Sequence, residues 1–173
     1  MHRARIRETD VSGVTSLSWI AERARRLGES GAVCGRSWSL AQVCEHLALA
    51  VQGTVDDPEP ARDGGVAPSW WRELGRVERS KRRLMKHGLM WTGRLPDGVR
   101  SPESVLPSED AEFEIAVRSL AVAAQAFDAK AARHGATWVY HPLLGPMSGA
   151  QWRRFHVIHA RHHFRIVERA CKR

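Results

Sequence analysis

SGAQWRRFHVIHARHHFRIVERACK, residues 148–172, is the stretch that decides the fold. Ser148-x-x-Gln151 is a capping-box pattern, in which serine and glutamine side chains satisfy the free N–H groups of a helix start. It predicts a helix that opens at Ser148 and continues almost to Lys172. With His159 as origin and about 100° per residue, His163 lies about 40° away and one turn further along. Trp152, Phe155, Ile166 and Ala170 fall within roughly 40° of the same line. Arg154, Arg161, Arg165 and Lys172 point to the other side. His159 and His163 therefore occupy the inward stripe, where a leucine would normally stand, and His156 and His162 flank it.

The same periodicity predicts four more helices upstream. Val14 to Leu27 places Leu17, Ile20, Ala21, Ala24 and Leu27 at helical spacing, with Gly28 as the stop. Ser39-x-x-Gln42 is another capping box, opening LAQVCEHLALAVQ (residues 40–52), which should end near Gly53. Pro68 and Ser69 lead into a helix from Trp70 to His87 with Gly88 behind it. Ser108 is placed to cap a fourth, alanine-rich helix reaching Arg133, whose Glu109, Asp110, Glu112 and Glu114 suit the positive end of its dipole. Between them, residues 56–68 and 92–108 are rich in proline and glycine and read as exposed loops, and TWVYHPLLGPM (residues 137–147) reads as a compact connector. No stretch reads as a strand. The expectation is one all-α domain over residues 1–173, with its core at about 14–168: a four-helix bundle with crossover connections and a short additional helix.

Composition bounds the function. Hydrophobic residues make up 43% and charged residues 27%, a globular balance. No apolar run approaches the roughly 20 residues that cross a bilayer, and MHRARIRETDVSG lacks the apolar stretch of a secretory signal. The three cysteines, Cys34, Cys44 and Cys171, form no CxxC pair, which excludes a disulfide scaffold and a cysteine zinc site. A cytoplasmic location follows as the default.

The histidines carry the chemistry. A pair at i and i+4 on one helix can direct both rings at one point, as in helical metal sites; the alternative is two buried rings hydrogen-bonded to neighbours. His46, on the core-facing arc of the second helix with Gln42, Val43, Leu49 and Ala50, offers a third imidazole if that helix packs beside the last. Three protein ligands with open positions describe a catalytic centre, in which neutral rings leave the ion's charge available as a Lewis acid. Zinc, nickel and iron all accept such donors.

WSLAQVCEHLALAV (residues 38–51) and HPLLGPMSGAQWRRFHVIHARHHFRIV (residues 141–167), in their order and separation, resemble the DinB-like superfamily of bacterial four-helix-bundle proteins, in a branch that is a domain of unknown function. By that resemblance, one histidine on the second helix and HxxxH on the last map the superfamily's metal triad onto His46, His159 and His163. The resemblance also implies a homodimer and, from some relatives, a metal-dependent thiol transferase or hydrolase acting on a small molecule with a low-molecular-weight thiol.

Other residues have weaker cases. His141 can line the pocket as a hydrogen-bond donor near the metal or anchor its own connector, while His156 and His162, also near the proposed ligands, can shuttle protons or pack in partly exposed positions. Cys44, nearly opposite His46, reads as a small buried hydrophobe, and Cys34 sits in a glycine-flanked loop with nothing adjacent to activate it. Glu45 lies about 100° from His46 and is a poor ligand from that turn. The net charge of +8 has a focus in residues 72–87 beside Trp70 and Trp71, and another in Arg153 to Arg173. The alternative function is thus a basic nucleic-acid-binding module with structural histidines, although no reader motif is visible.

Overall fold

The computed structural model describes residues 16–32, 38–56, 67–96, 98, 100–131 and 139–171. The elements are α1 (Ser18–Glu29), α2 (Leu40–Asp56), α3 (Ser69–Glu73), α4 (Arg76–Thr92), a 3₁₀ turn (Glu103–Val105), α5 (Phe113–Ala131), β1 (Val139–His141), β2 (Gly145–Met147) and α6 (Gly149–Ala170). Val14, Cys34, Arg133 and most of the expected 56–68 loop lie outside the described residues. Among those described, no helix is long and apolar enough to cross a membrane.

The core is built mainly from α1, α2, α5 and α6. Ala116, Ala123 and Ala124 are buried on α5 and let α2 pack closely along it, while Leu120 and the wholly buried Phe127 fill the layer between. Removing a side chain such as Phe127 would cost about 3–5 kcal/mol. α1 lies against α5 through Ile20, Ala24 and Leu27, and its start is held from that helix: Asp128 accepts the Leu17 N–H at 2.8 Å and the Ser16 hydroxyl at 2.6 Å. α6 closes the core against α2 and α1. Both expected capping boxes form, Ser39 with Gln42 and Ser148 with Gln151.

Several boundaries differ from expectation, each for a local reason. α1 continues through Gly28, which makes room for a neighbour: a Cβ there would stand 2.5 Å from the Phe113 ring. α2 continues past Gly53 to Asp56. The expected 70–87 helix is broken at Leu74 and Gly75, both extended, and then passes through Gly88 to Thr92. It stops where Gly93 adopts the left-handed conformation (φ 61°) and donates its N–H to the Leu89 carbonyl. Ser108 does not cap α5. Its hydroxyl bonds the Asp110 carboxylate, and the helix starts only where Ala116 N–H meets the Glu112 carbonyl, leaving Glu109 and Asp110 ahead of it.

The expectation of no strand is corrected by the connector, which forms an antiparallel hairpin pairing Val139 with Met147 and His141 with Gly145. Gly145 has φ 74°, and Trp71 lies over it so closely that a Cβ would be 2.4 Å from the indole. Lys86 Nζ donates to the Pro146 carbonyl at 2.6 Å, Arg82 to that of Pro142, and Trp152 Nε1 to that of Val139 at 3.1 Å. The hairpin is thereby clamped between α3 and α4 on one side and α6 on the other.

Candidate metal centre

α2 and α6 bring His46, His159 and His163 together, with one ligating nitrogen from each ring lying within 4.8 Å of the other two. His46 Nε2 is 3.1 Å from His159 Nε2, and His163 Nε2 is 3.0 Å from it on the other side. His46 Nδ1 is 2.7 Å from the Val105 carbonyl, which can only accept, so Nδ1 carries the proton and the Nε2 lone pair faces the other rings. That bond orients the ring in the way outer partners orient metal-binding histidines. His159 Nδ1 is buried without a partner, so packing against Phe155, at 5.6 Å between ring centroids, sets its orientation instead.

The spacing suits an ion. Bonds of about 2.0–2.1 Å separate two nitrogens by about 3.3 Å in a tetrahedral set and by about 2.9 Å at right angles. The separations of His46 and His163 from His159, 3.1 and 3.0 Å, lie between these limits, and the third pair lies within 4.8 Å. With hydrogen bonds alone the cluster is poorly satisfied, because one proton on His159 Nε2 has to serve two neighbours and Nδ1 stays unpartnered. A cation would engage all three lone pairs at once.

Burial keeps these rings in the neutral, ligating form. It lowers His159 well below its ordinary value, with His163, His46, His156 and His162 adding to the effect. His163 is pushed down to about 3 by burial, then by His46 and His162. His46 is lowered by burial against the opposing pull of the Val105 bond. No carboxylate or thiol joins the group among the described residues. Cys44 is buried as expected, and desolvation pushes its thiol up to about 12.

The flanking histidines have other partners. His156 is 1% exposed, not partly exposed as expected, because α2 covers it. Thr54 Oγ1, whose proton goes to the Ala50 carbonyl, accepts from His156 Nε2 at 3.1 Å. Burial, then the nearby His141, depresses His156 to about 3. His141 takes its anchoring role: Nδ1 accepts the Leu143 N–H at 3.0 Å, the ring packs on Trp152 and Phe155, and burial lowers it to about 4. His162 meets the His163 ring edge-on at 5.4 Å. Glu45 turns away from the rings and accepts the Ser108 N–H at 2.8 Å.

Two contributors were not anticipated as parts of the site. Trp38 stacks on His163 at 5.8 Å and tilts against His46 at 4.8 Å; its place just before the capping box was the available signal. The Val105 carbonyl is backbone and leaves no side-chain signature. Ile166, expected to face inward, is 37% exposed because that part of the stripe borders a cavity and not a helix.

A family model described as a protein of unknown function, DUF1569, matches residues 13–170. This chain belongs to the DUF1569 family. No curated protein and no solved structure matches it. The DUF1569 match spans α1 to α6 and includes all three clustered histidines.

Proposed function

We propose that this DUF1569 protein is a DinB-like helical bundle that holds one divalent ion through His46, His159 and His163 and uses it in a transferase or hydrolase reaction on a small molecule. The observation that carries the reading is the convergence of three imidazole nitrogens from α2 and α6, with those of His46 and His163 at 3.1 and 3.0 Å from His159 Nε2 and one tautomer set by Val105. Zinc, nickel or iron fits the donor set. Such an ion would supply Lewis acidity toward a substrate or a low-molecular-weight thiol. The protein's own part is to keep the three rings neutral by burial, to hold His46 by its Nδ1 proton, and to shield one flank with the Trp38 indole. A cytoplasmic homodimer belongs to the same reading.

The test is elemental analysis of untagged protein. Close to one divalent ion per chain is expected, lost in His46→Ala, His159→Ala and His163→Ala. Retention of the metal in all three variants overturns the proposal. A second reading, nucleic-acid binding, has one favouring observation: α4 carries exposed Arg76, Lys81 and Arg83 beside Trp91, which is 88% exposed. The expected stacking pair is weakened, since Trp71 is buried under the hairpin. Salt-dependent retention on DNA, unchanged in His159→Ala, would favour this second reading.

A further inference from the structure

A cavity of about 440 Å³ opens beside the histidine cluster, within the range of small-molecule sites. His163 and His162 line it together with the apolar Trp38, Leu106 and Ile166. Arg100 and Ser101 also line it, and Arg100, being exposed, stands at the mouth. Among the described residues no aspartate or glutamate lines the cavity, and Arg100 has no ion-pair partner. The lining therefore presents one permanent cation with an uncommitted planar fork of donors, one hydroxyl beside it, the neighbouring His162 ring, and a passage with apolar walls on one side leading to a proposed metal ligand.

We infer that this cavity binds an organic carboxylate with an apolar body, its carboxylate held by Arg100 and Ser101 and its far end directed to His163. A guanidinium takes a carboxylate through two parallel hydrogen bonds. A single cation with a single hydroxyl matches a monoanion better than a doubly charged phosphate monoester. The inference deepens the metal-centre reading by naming the substrate's chemistry. It rests on that reading only for the reacting end, because the carboxylate end needs no metal.

The experiment titrates the full chain, chelator-treated and zinc-loaded, with 4-phenylbutyrate, its primary amide and 3-phenylpropyl phosphate, read by calorimetry. In metal-free protein the carboxylate should bind about tenfold tighter than the amide. Arg100→Ala should remove that preference while leaving amide affinity unchanged, and Arg100→Lys should restore part of it. Ile166→Trp, which fills the cavity from a partly exposed position, should weaken carboxylate and amide alike. Equal affinity for carboxylate and amide overturns the inference. So does a preference that survives in Arg100→Ala, tighter binding of the phosphate, or no carboxylate binding at millimolar concentration. The two readings fail separately. An Arg100-dependent preference in a protein that never loads metal sinks the metal centre alone, and metal loading without the preference sinks the carboxylate site alone.

Discussion

His159→Leu should change the stability of the metal-free protein by no more than about 2 kcal/mol, while abolishing its response to metal. His159 sits between His46 and His163, with one nitrogen 3.0–3.1 Å from both rings and the other buried without a partner. An unsatisfied buried polar atom costs about 1–3 kcal/mol, and each hydrogen bond lost with the ring returns only about 1 kcal/mol. Leucine has nearly the volume of histidine and suits a stripe position between Phe155 and the core. Against the gain from removing that atom stands the buried His46 Nε2, which loses its partner, so the net expectation is a change of no more than about 2 kcal/mol in chelator. His46→Leu should be destabilising. It strands the Val105 carbonyl, which His46 Nδ1 meets at 2.7 Å, and should lose about 1–3 kcal/mol. In the parent, zinc at a hundred times its Kd should add about 2.7 kcal/mol, or about 5–11 °C in Tm for a chain of this size.

Thermal unfolding by circular dichroism, in chelator and in zinc, reads all three quantities. Destabilisation of metal-free His159→Leu by more than about 2 kcal/mol would make His159 a structural hydrogen-bonding residue and refute the reasoning. A zinc shift that survives the substitution would refute it equally.

Acid should destabilise the metal-free protein in a defined window. His156 and His141 have folded pKa values of about 3 and about 4 against an ordinary 6.5, so below 6.5 the unfolded chain binds protons that the folded chain refuses. Their contribution is intact above pH 6.5 and declines by about 1.4 kcal/mol per pH unit for each ring until the folded values are reached; urea titrations at several pH values should give a shallower slope for His156→Phe, and an unchanged slope counts against the assignment. Gly145→Ala should lose about 2–4 kcal/mol by thermal melting, since its φ of 74° strains any side chain and the new Cβ would press on Trp71; a neutral effect would mean that the hairpin shifts freely. Glu45→Ala, which frees the Ser108 N–H without touching a ligand, should weaken zinc binding about tenfold in a competition assay. Parent-like affinity would disconnect that tether from the site.

Much of this was legible because helices announce themselves locally. Ser39-Gln42 and Ser148-Gln151 marked two starts correctly, since a capping box acts within one turn. The angular stripe through His159 and His163 was placed too centrally. The buried face of α6 runs through His156, Val157, Ala160, Phe164 and Val167, and the stripe forms its half-buried edge, because α2 and the cavity, not a closely packed helix core, border that side. His46 was legible as a histidine on an apolar arc, but its meeting with α6 depends on how α2 packs, which periodicity does not encode. Glycines misled in a consistent way. Gly28, Gly53 and Gly88 were read as stops, yet an isolated glycine lowers helix stability by only about 1 kcal/mol. The glycines that do end helices have left-handed backbones: Gly93 behind α4, and Gly31 behind α1, where Gly31 N–H meets the Gly28 carbonyl and Ala32 N–H that of Leu27. The hairpin escaped because Pro142 and Pro146 suggested irregular chain; on a two-stranded ribbon a proline can sit where no N–H is needed, and Lys86 takes up the Pro146 carbonyl.

The least regular part of the described chain organises the site. The segment from Arg100 to Ser108 crosses the start of α2 and is tied there at both backbone groups of Ser108, whose N–H goes to Glu45 and whose carbonyl accepts from Gln42 at 3.1 Å. Three residues before that tie, the Val105 carbonyl sets the His46 tautomer; on the same segment Leu106, Ser101 and Arg100 line the cavity. The helices supply ring positions that a rigid, apolar core keeps constant, and the strap supplies the orienting bond and the polar groups.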